Sequence, residues 1–106
     1  MGFFNFFKQP DINQSVKAYQ AASGAILLDV RTPQEYRDGH IPGSKNVPLQ
    51  TIDKVASVAE NKDTVLYVYC QSGARSRQAT SMLQHMGYTN VNNIGGIAAY
   101  SGKVER

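Results

Sequence analysis

Cysteine is almost missing from this chain: its 106 residues hold one, Cys70. A lone thiol excludes an internal disulfide and leaves no second thiol to complete a redox pair. With His40 and His85 as the chain's two histidines, a four-ligand zinc site is hard to build, so no metal is expected. No apolar run is long enough to span a bilayer, and no transmembrane segment is expected. Repeats, low-complexity stretches and long linkers are also lacking, which argues for one domain at a length near the commonest domain size. Acidic residues are missing from a whole region. Between Thr64 and Val104 there is no carboxylate, while Arg75, Arg77 and Lys103 lie there; residues 1–63 balance at seven charges of each sign. The half of the chain that carries Cys70 therefore carries the net positive charge of +3. That sign favours a small anion or an acidic partner. The basic residues do not cluster with aromatics, so nucleic acid is not expected.

The start of the chain, with Phe3, Phe4, Phe6 and Phe7, is apolar. It has no basic flank, no small-residue cleavage site and no Ser or Thr where the myristoylation pattern requires one. Residues 1–9 are read as an aromatic segment of unassigned role, and 10–106 as the domain. A single thiol that must stay reduced, with no targeting signal, points to the cytoplasm.

From Asp11 onward, helical and extended patterns alternate. Asp11 and Gln14 fit an acidic capping box, followed by Ile12, Val16 and Tyr19 on one helical face. Ala25–Val30 is a short apolar run suited to a buried strand. Thr32-Pro33-Gln34-Glu35 is a stronger signal: Thr32 caps, Pro33 takes the first helical position, and Glu35 closes the box. Asn46–Pro48 reads as extended, and Ile52, Val55, Ala56 and Ala59 recur at helical spacing. Thr64–Tyr69 is a second buried strand. Ala79, Met82, Leu83 and Met86 mark the inner face of a further helix, and Tyr88–Ile94 supplies a last strand. Strands alternating with helices imply a parallel sheet covered on both faces. Ligand sites in such sheets lie beyond the carboxyl ends of strands, where Cys70 falls.

A lone cysteine is most often an inert buried hydrophobe. Its neighbours argue otherwise here. Cys70-Gln71-Ser72-Gly73-Ala74-Arg75-Ser76 joins a strand to a helix through residues small enough to curl, with Gly73 free to adopt a positive φ. Successive amides in such a curl, plus a helix N-terminus, form an anion nest that stabilises a thiolate. The thiolate is the nucleophilic form of cysteine. Arg75 adds a planar fork suited to an oxyanion.

Two blocks, Leu28-Asp29-Val30-Arg31-Thr32-Pro33-Gln34-Glu35-Tyr36 with Gly39-His40-Ile41-Pro42-Gly43-Ser44, and Tyr69 through Ser76, resemble the rhodanese-like sulfurtransferases. Gly95-Gly96-Ile97-Ala98-Ala99-Tyr100 is a third, weaker block, with Tyr100 where the family often has Trp. The resemblance covers residues 10–102. It implies an α/β fold: a single rhodanese-like domain with a parallel five-stranded sheet flanked by helices on both faces. It further implies that Cys70 takes a sulfane sulfur from a small anionic donor such as thiosulfate and passes it to an acceptor, cyanide in an assay, by double displacement. On this reading Gln71, Ser72, Gly73, Ala74, Arg75 and Ser76 form the substrate cradle, with Arg75 on the donor's sulfonate oxygens. Asp29 and Arg31 brace the loop from below. The histidine of the Gly-His-Ile-Pro-Gly stretch, His40, holds a turn. No cofactor is implied. One alternative is a persulfide carrier that receives sulfur from a donor protein and delivers it to an acceptor protein. A weaker one is a cysteine-dependent phosphatase or arsenate reductase. Their related loops place five residues between Cys and Arg, whereas four separate Cys70 from Arg75.

Overall fold

In the computed structural model, which describes residues 11–106, strands and helices alternate from Asp11 to the C-terminus. Helix α1 (Ile12–Ala21) starts where the Asp11 carboxylate accepts from the Asn13 and Gln14 amides. Strand β1 (Ile26–Asp29) leads into α2 (Pro33–Asp38), whose Thr32–Glu35 capping box closes in both directions. Then follow β2 (Lys45–Asn46), a 3-10 segment (Leu49–Ser57), β3 (Leu66–Cys70), α3 (Ala74–His85), β4 (Val91–Gly96) and a 3-10 turn (Ile97–Ala99).

The strands form one parallel sheet in the order β2-β1-β3-β4. Side chains alternate across it, and this sorts the core onto two faces. Leu28, Leu66, Val68 and Cys70 pack with Ile52, Val55, Ala79 and Leu83 beneath the 3-10 segment and α3. Leu27, Tyr69 and Ile94 pack with Ile12 and Val16 of α1 on the opposite face. Each such fully buried aliphatic side chain contributes roughly 1.5–3 kcal/mol. The register carries one irregularity beside the site. Val68 pairs with Asn93 but Tyr69 pairs with Gly95, so Ile94 is an extra residue in β4, which ends with Gly96 opposite Cys70.

Several expectations are corrected. Residues 11–106 supply four strands, not five. Near the C-terminus, Glu105 makes a single antiparallel bridge to His40, too short to add a strand. The segment around Ile52 has the expected buried positions but forms a 3-10 path with a non-helical Thr51 (φ −125°, ψ 37°), and Ala56 is exposed. Pro48 enters this segment without a side-chain cap, and the Thr51 hydroxyl bonds back to the Pro48 carbonyl. Met82, expected on the inner face of α3, is 38% exposed. The aromatic segment 1–9 and Pro10 lie outside the described residues.

Candidate active site

Cys70 ends β3 at the carboxyl edge of the sheet and is free and almost fully buried. Just beyond it the chain must reverse into α3 within three residues, and Gly73 makes that possible with φ +107°. Such a left-handed conformation is strained for residues with a Cβ. Gly73 caps α3 without a side chain to accept from the first turn, and sulfur takes up that role. The Gly73 amide donates to Cys70 Sγ at 3.0 Å, and Ser76 Oγ lies 3.6 Å from Sγ. Burial pushes the thiol up. Hydrogen bonds from the Ser76 hydroxyl and from the Ser76, Gly73 and Ser72 amides outweigh it and hold the thiol below its ordinary value. The Ser72 and Gly73 amides lie in the loop and N-cap that lead into a twelve-residue helix, and the Ser76 amide lies in its first turn, so the positive end of α3 is next to the sulfur.

Ser76 is fully buried, and its Oγ is surrounded by acceptors: Asn93 Oδ1 at 2.7 Å, Gly73 O at 3.0 Å and Gly95 O at 3.4 Å. Gln71 and Ser72 lie exposed on the rim. Ala74 opens α3. Gly96 closes the cradle from β4. A Cβ there would lie inside van der Waals contact with Gln71 O and 2.6 Å from Ser72 Cα. Its absence lets the Gln71 carbonyl accept from the Ala98 amide at 3.1 Å.

The two arginines are both partnered. Arg31 is buried against Asp29: Nε lies 3.1 Å from each carboxylate oxygen, and Nη2 donates to Oδ2 at 2.8 Å. Burial works against the guanidinium charge, and Asp29 more than offsets it, so Arg31 is held above its ordinary value. Its Nη1 reaches Gln71 Oε1 at 3.2 Å, and its Nη2 reaches the Gly39 carbonyl at 2.6 Å. Asp29 and Arg31 thus join the Cys70 loop to the turn after α2. Arg75 does not present the open fork expected of it. Its Nη1 and Nη2 donate to Glu35 Oε1 and Oε2 at 2.7 and 3.0 Å. This pair holds Glu35 at about 2. His40 stacks on Tyr36 with ring centres 3.7 Å apart, and its Nδ1 sits 2.8 Å from the Tyr36 carbonyl.

A sulfur held toward the thiolate by neighbouring amides, at the carboxyl end of a central parallel strand, can act as a nucleophile beside amides able to receive a small anion. A family model described as "Rhodanese-like domain" matches residues 13–103. The chain belongs to the rhodanese-like family. Among its rhodanese-like relatives is the Escherichia coli protein named thiosulfate sulfurtransferase PspE. It is 39% identical over 71 residues, covering 66% of this chain and 68% of PspE. A Bacillus subtilis protein named putative sulfur carrier protein YrkF is 36% identical over 80 residues, covering 74% of this chain and 43% of YrkF. Among solved structures, a rhodanese with anions from E. coli superposes with a TM-score of 0.73 at 34% identity, covering 77% of this chain and 98% of that one. This rhodanese-like domain spans as little as 25% of some longer relatives.

Three residues at the rhodanese-like site escaped the sequence reading. Glu35 fits the cap of its own helix, and nothing within a few residues of it points to Arg75, 40 positions away. Gly96 lay within the third motif block, with nothing to mark its steric role. Asn93 carried no signal, because its approach to Ser76 depends on the irregular register of β4.

Proposed function

We propose that this protein is a sulfurtransferase in which Cys70 carries the transferred sulfur as a persulfide. The observation that supports this best is the Gly73 amide at 3.0 Å from a sulfur that the Ser72 and Ser76 amides also favour as a thiolate. In the loading step the Cys70 thiolate attacks the sulfane sulfur of a small anionic donor such as thiosulfate. The Sγ–S bond forms, the donor's S–S bond breaks, and sulfite leaves with the electron pair. In the discharge step a nucleophilic acceptor attacks the outer sulfur, the Sγ–S bond breaks, and the pair returns to Sγ. The charge of the persulfide sits on its outer sulfur, where the cradle of Gln71, Ser72, Gly73, Ala74 and Ser76 offers amides and a helix N-terminus. Arg75, tied to Glu35, closes the rim as half of an ion pair rather than offering a free fork. Asp29 and Arg31 hold the loop in place. The unpaired thiol suits a reducing compartment, and we read the protein as cytoplasmic; among the described residues no helix is long and apolar enough to cross a membrane.

The similarity to YrkF favours a second reading of the same cysteine, in which sulfur is received from a donor protein and handed to an acceptor protein. The test of the site is direct. The purified protein is incubated with thiosulfate and its intact mass measured, then cyanide is added and thiocyanate assayed, with Cys70→Ala alongside. A gain of one sulfur, discharged as thiocyanate and absent from Cys70→Ala, is the expected result. No adduct and no thiocyanate would overturn thiosulfate as donor. Labelled sulfur passed from a loaded cysteine desulfurase onto Cys70 would then favour the carrier.

A further inference from the structure

Ser76 has one hydroxyl proton and four candidate acceptors. Asn93 Oδ1 is the nearest at 2.7 Å, ahead of the Gly73 carbonyl at 3.0 Å, the Gly95 carbonyl at 3.4 Å and Cys70 Sγ at 3.6 Å. Asn93 is not free to turn. Its Oδ1 accepts from the Gly95 amide at 3.1 Å, and this fixes which end of the amide faces Ser76. The bulge at Ile94 brings Asn93 and Gly95 together on the side of the buried Ser76. When Sγ is a neutral thiol, S–H donates to Ser76 Oγ and the Ser76 proton rests on Asn93. When Sγ is a thiolate, it is the stronger acceptor, because hydrogen bonds to charged groups are roughly twice as strong as neutral ones. The hydroxyl then turns to sulfur. In the persulfide, Sγ is neutral again and the charge lies on the outer sulfur, so the proton returns to Asn93.

We propose that Asn93 is a positioning residue for Cys70: its Oδ1 holds the Ser76 hydroxyl whenever Sγ is uncharged and yields it when Sγ becomes anionic. This rests on the reading of Cys70 as a sulfur-transfer nucleophile. In discharge the returning electron pair on Sγ is met by the Ser76 hydroxyl. In loading the same hydroxyl lets go as the Sγ–S bond forms. Asn93 sets the balance between the two states because it competes with the thiolate for one proton.

The test follows the rate of Cys70 alkylation by iodoacetamide against pH, which reports thiolate and needs no sulfur transfer. The charged groups near the sulfur are Arg75 with Glu35 above it and Asp29 with Arg31 beneath. Strand β4 and the 3-10 turn Ile97–Ala99 carry none, and Asp53 and Lys54 of the 3-10 segment are exposed. Asn93→Ala changes no charge among them. It removes the competitor, so the midpoint should move to lower pH by about half a unit, with alkylation about threefold faster below the midpoint. Ser76→Ala removes the donor to the thiolate and should move the midpoint up. In a Ser76→Ala background Asn93→Ala should then have no effect, a dependence that a merely structural role would not produce. A midpoint unmoved by Asn93→Ala, or moved equally with and without Ser76, overturns the proposal. Should Asn93→Ala fail to fold, Asn93→Asp keeps both acceptor contacts. It should raise the midpoint, and by less once Ser76 is gone; equal shifts in the two backgrounds overturn the proposal as well. Thiocyanate formation by the parent protein, measured separately, tells a failure of this inference from a failure of the sulfur-transfer reading.

Discussion

Arg31 and Asp29 show how much one buried ion pair can organise. The pair is almost wholly out of solvent, and the guanidinium also holds Gln71 of the Cys70 loop and the carbonyl of Gly39. A buried pair contributes little net stability compared with an apolar substitute, but removing one partner strands the other charge. Arg31→Ala or Asp29→Ala should therefore cost about 3–5 kcal/mol in urea unfolding. Arg31→Lys keeps the charge but cannot bind both carboxylate oxygens, Gln71 and Gly39 together, so its loss should fall between parent and alanine variant. A loss below about 1 kcal/mol for Asp29→Ala would mean that water reaches the pair and that the loop is braced by something else.

At the scale of elements the deciding contact lies between the end of β4 and the loop that follows β3. Gly96 has ordinary strand geometry (φ −123°), so its requirement is steric rather than conformational. Gly96→Ala must push the Gln71–Ser72 backbone away, and the loop is softer than the sheet. We expect a folded protein whose Cys70 alkylates more slowly at neutral pH and whose thiocyanate formation falls at least tenfold, the fold being checked by circular dichroism. Unchanged alkylation would show that the loop accommodates a methyl without disturbing the amides around sulfur. The same contact marks where the sequence stopped being legible. Strand-to-helix alternation, the Thr32–Glu35 cap and the position of Cys70 at a strand end could be read from local patterns, because each is set by neighbours within a few residues. The place of Gly96 against Gln71, the reach of Asn93 to Ser76 and the second role of Glu35 join residues 17 to 40 positions apart. Periodicity carries no record of such contacts. The 3-10 path at Leu49–Ser57 was hidden for a different reason: Ile52 and Val55 are buried in either helical form, so their spacing does not choose between the two.

Across the whole molecule, Glu35 and Arg75 tie together the two sequence blocks that define the site. Glu35 caps α2 through Thr32, and the same carboxylate takes both terminal nitrogens of an arginine from the first turn of α3. The helix after β1 is thereby locked to the helix after β3 across the mouth of the cradle. The arrangement should make stability depend on acid in a defined way. The Glu35 carboxyl falls from an ordinary 4.5 to about 2 on folding, chiefly through hydrogen bonding to Arg75. A depressed carboxyl contributes stability that is fully present above the unfolded value and is lost as pH falls through the folded one. The window for this loss therefore runs from 4.5 down to about 2. Glu35→Gln cannot bind a proton there and lacks the ion pair at every pH. The parent should be the more stable at pH 7, and the gap between the two, read from urea midpoints, should close as the pH approaches 2. Because every other carboxylate is common to both proteins, the difference isolates Glu35. A gap of the same size at pH 7 and pH 2 would mean that Glu35 acts through packing and its cap on α2, with the charge of Arg75 incidental.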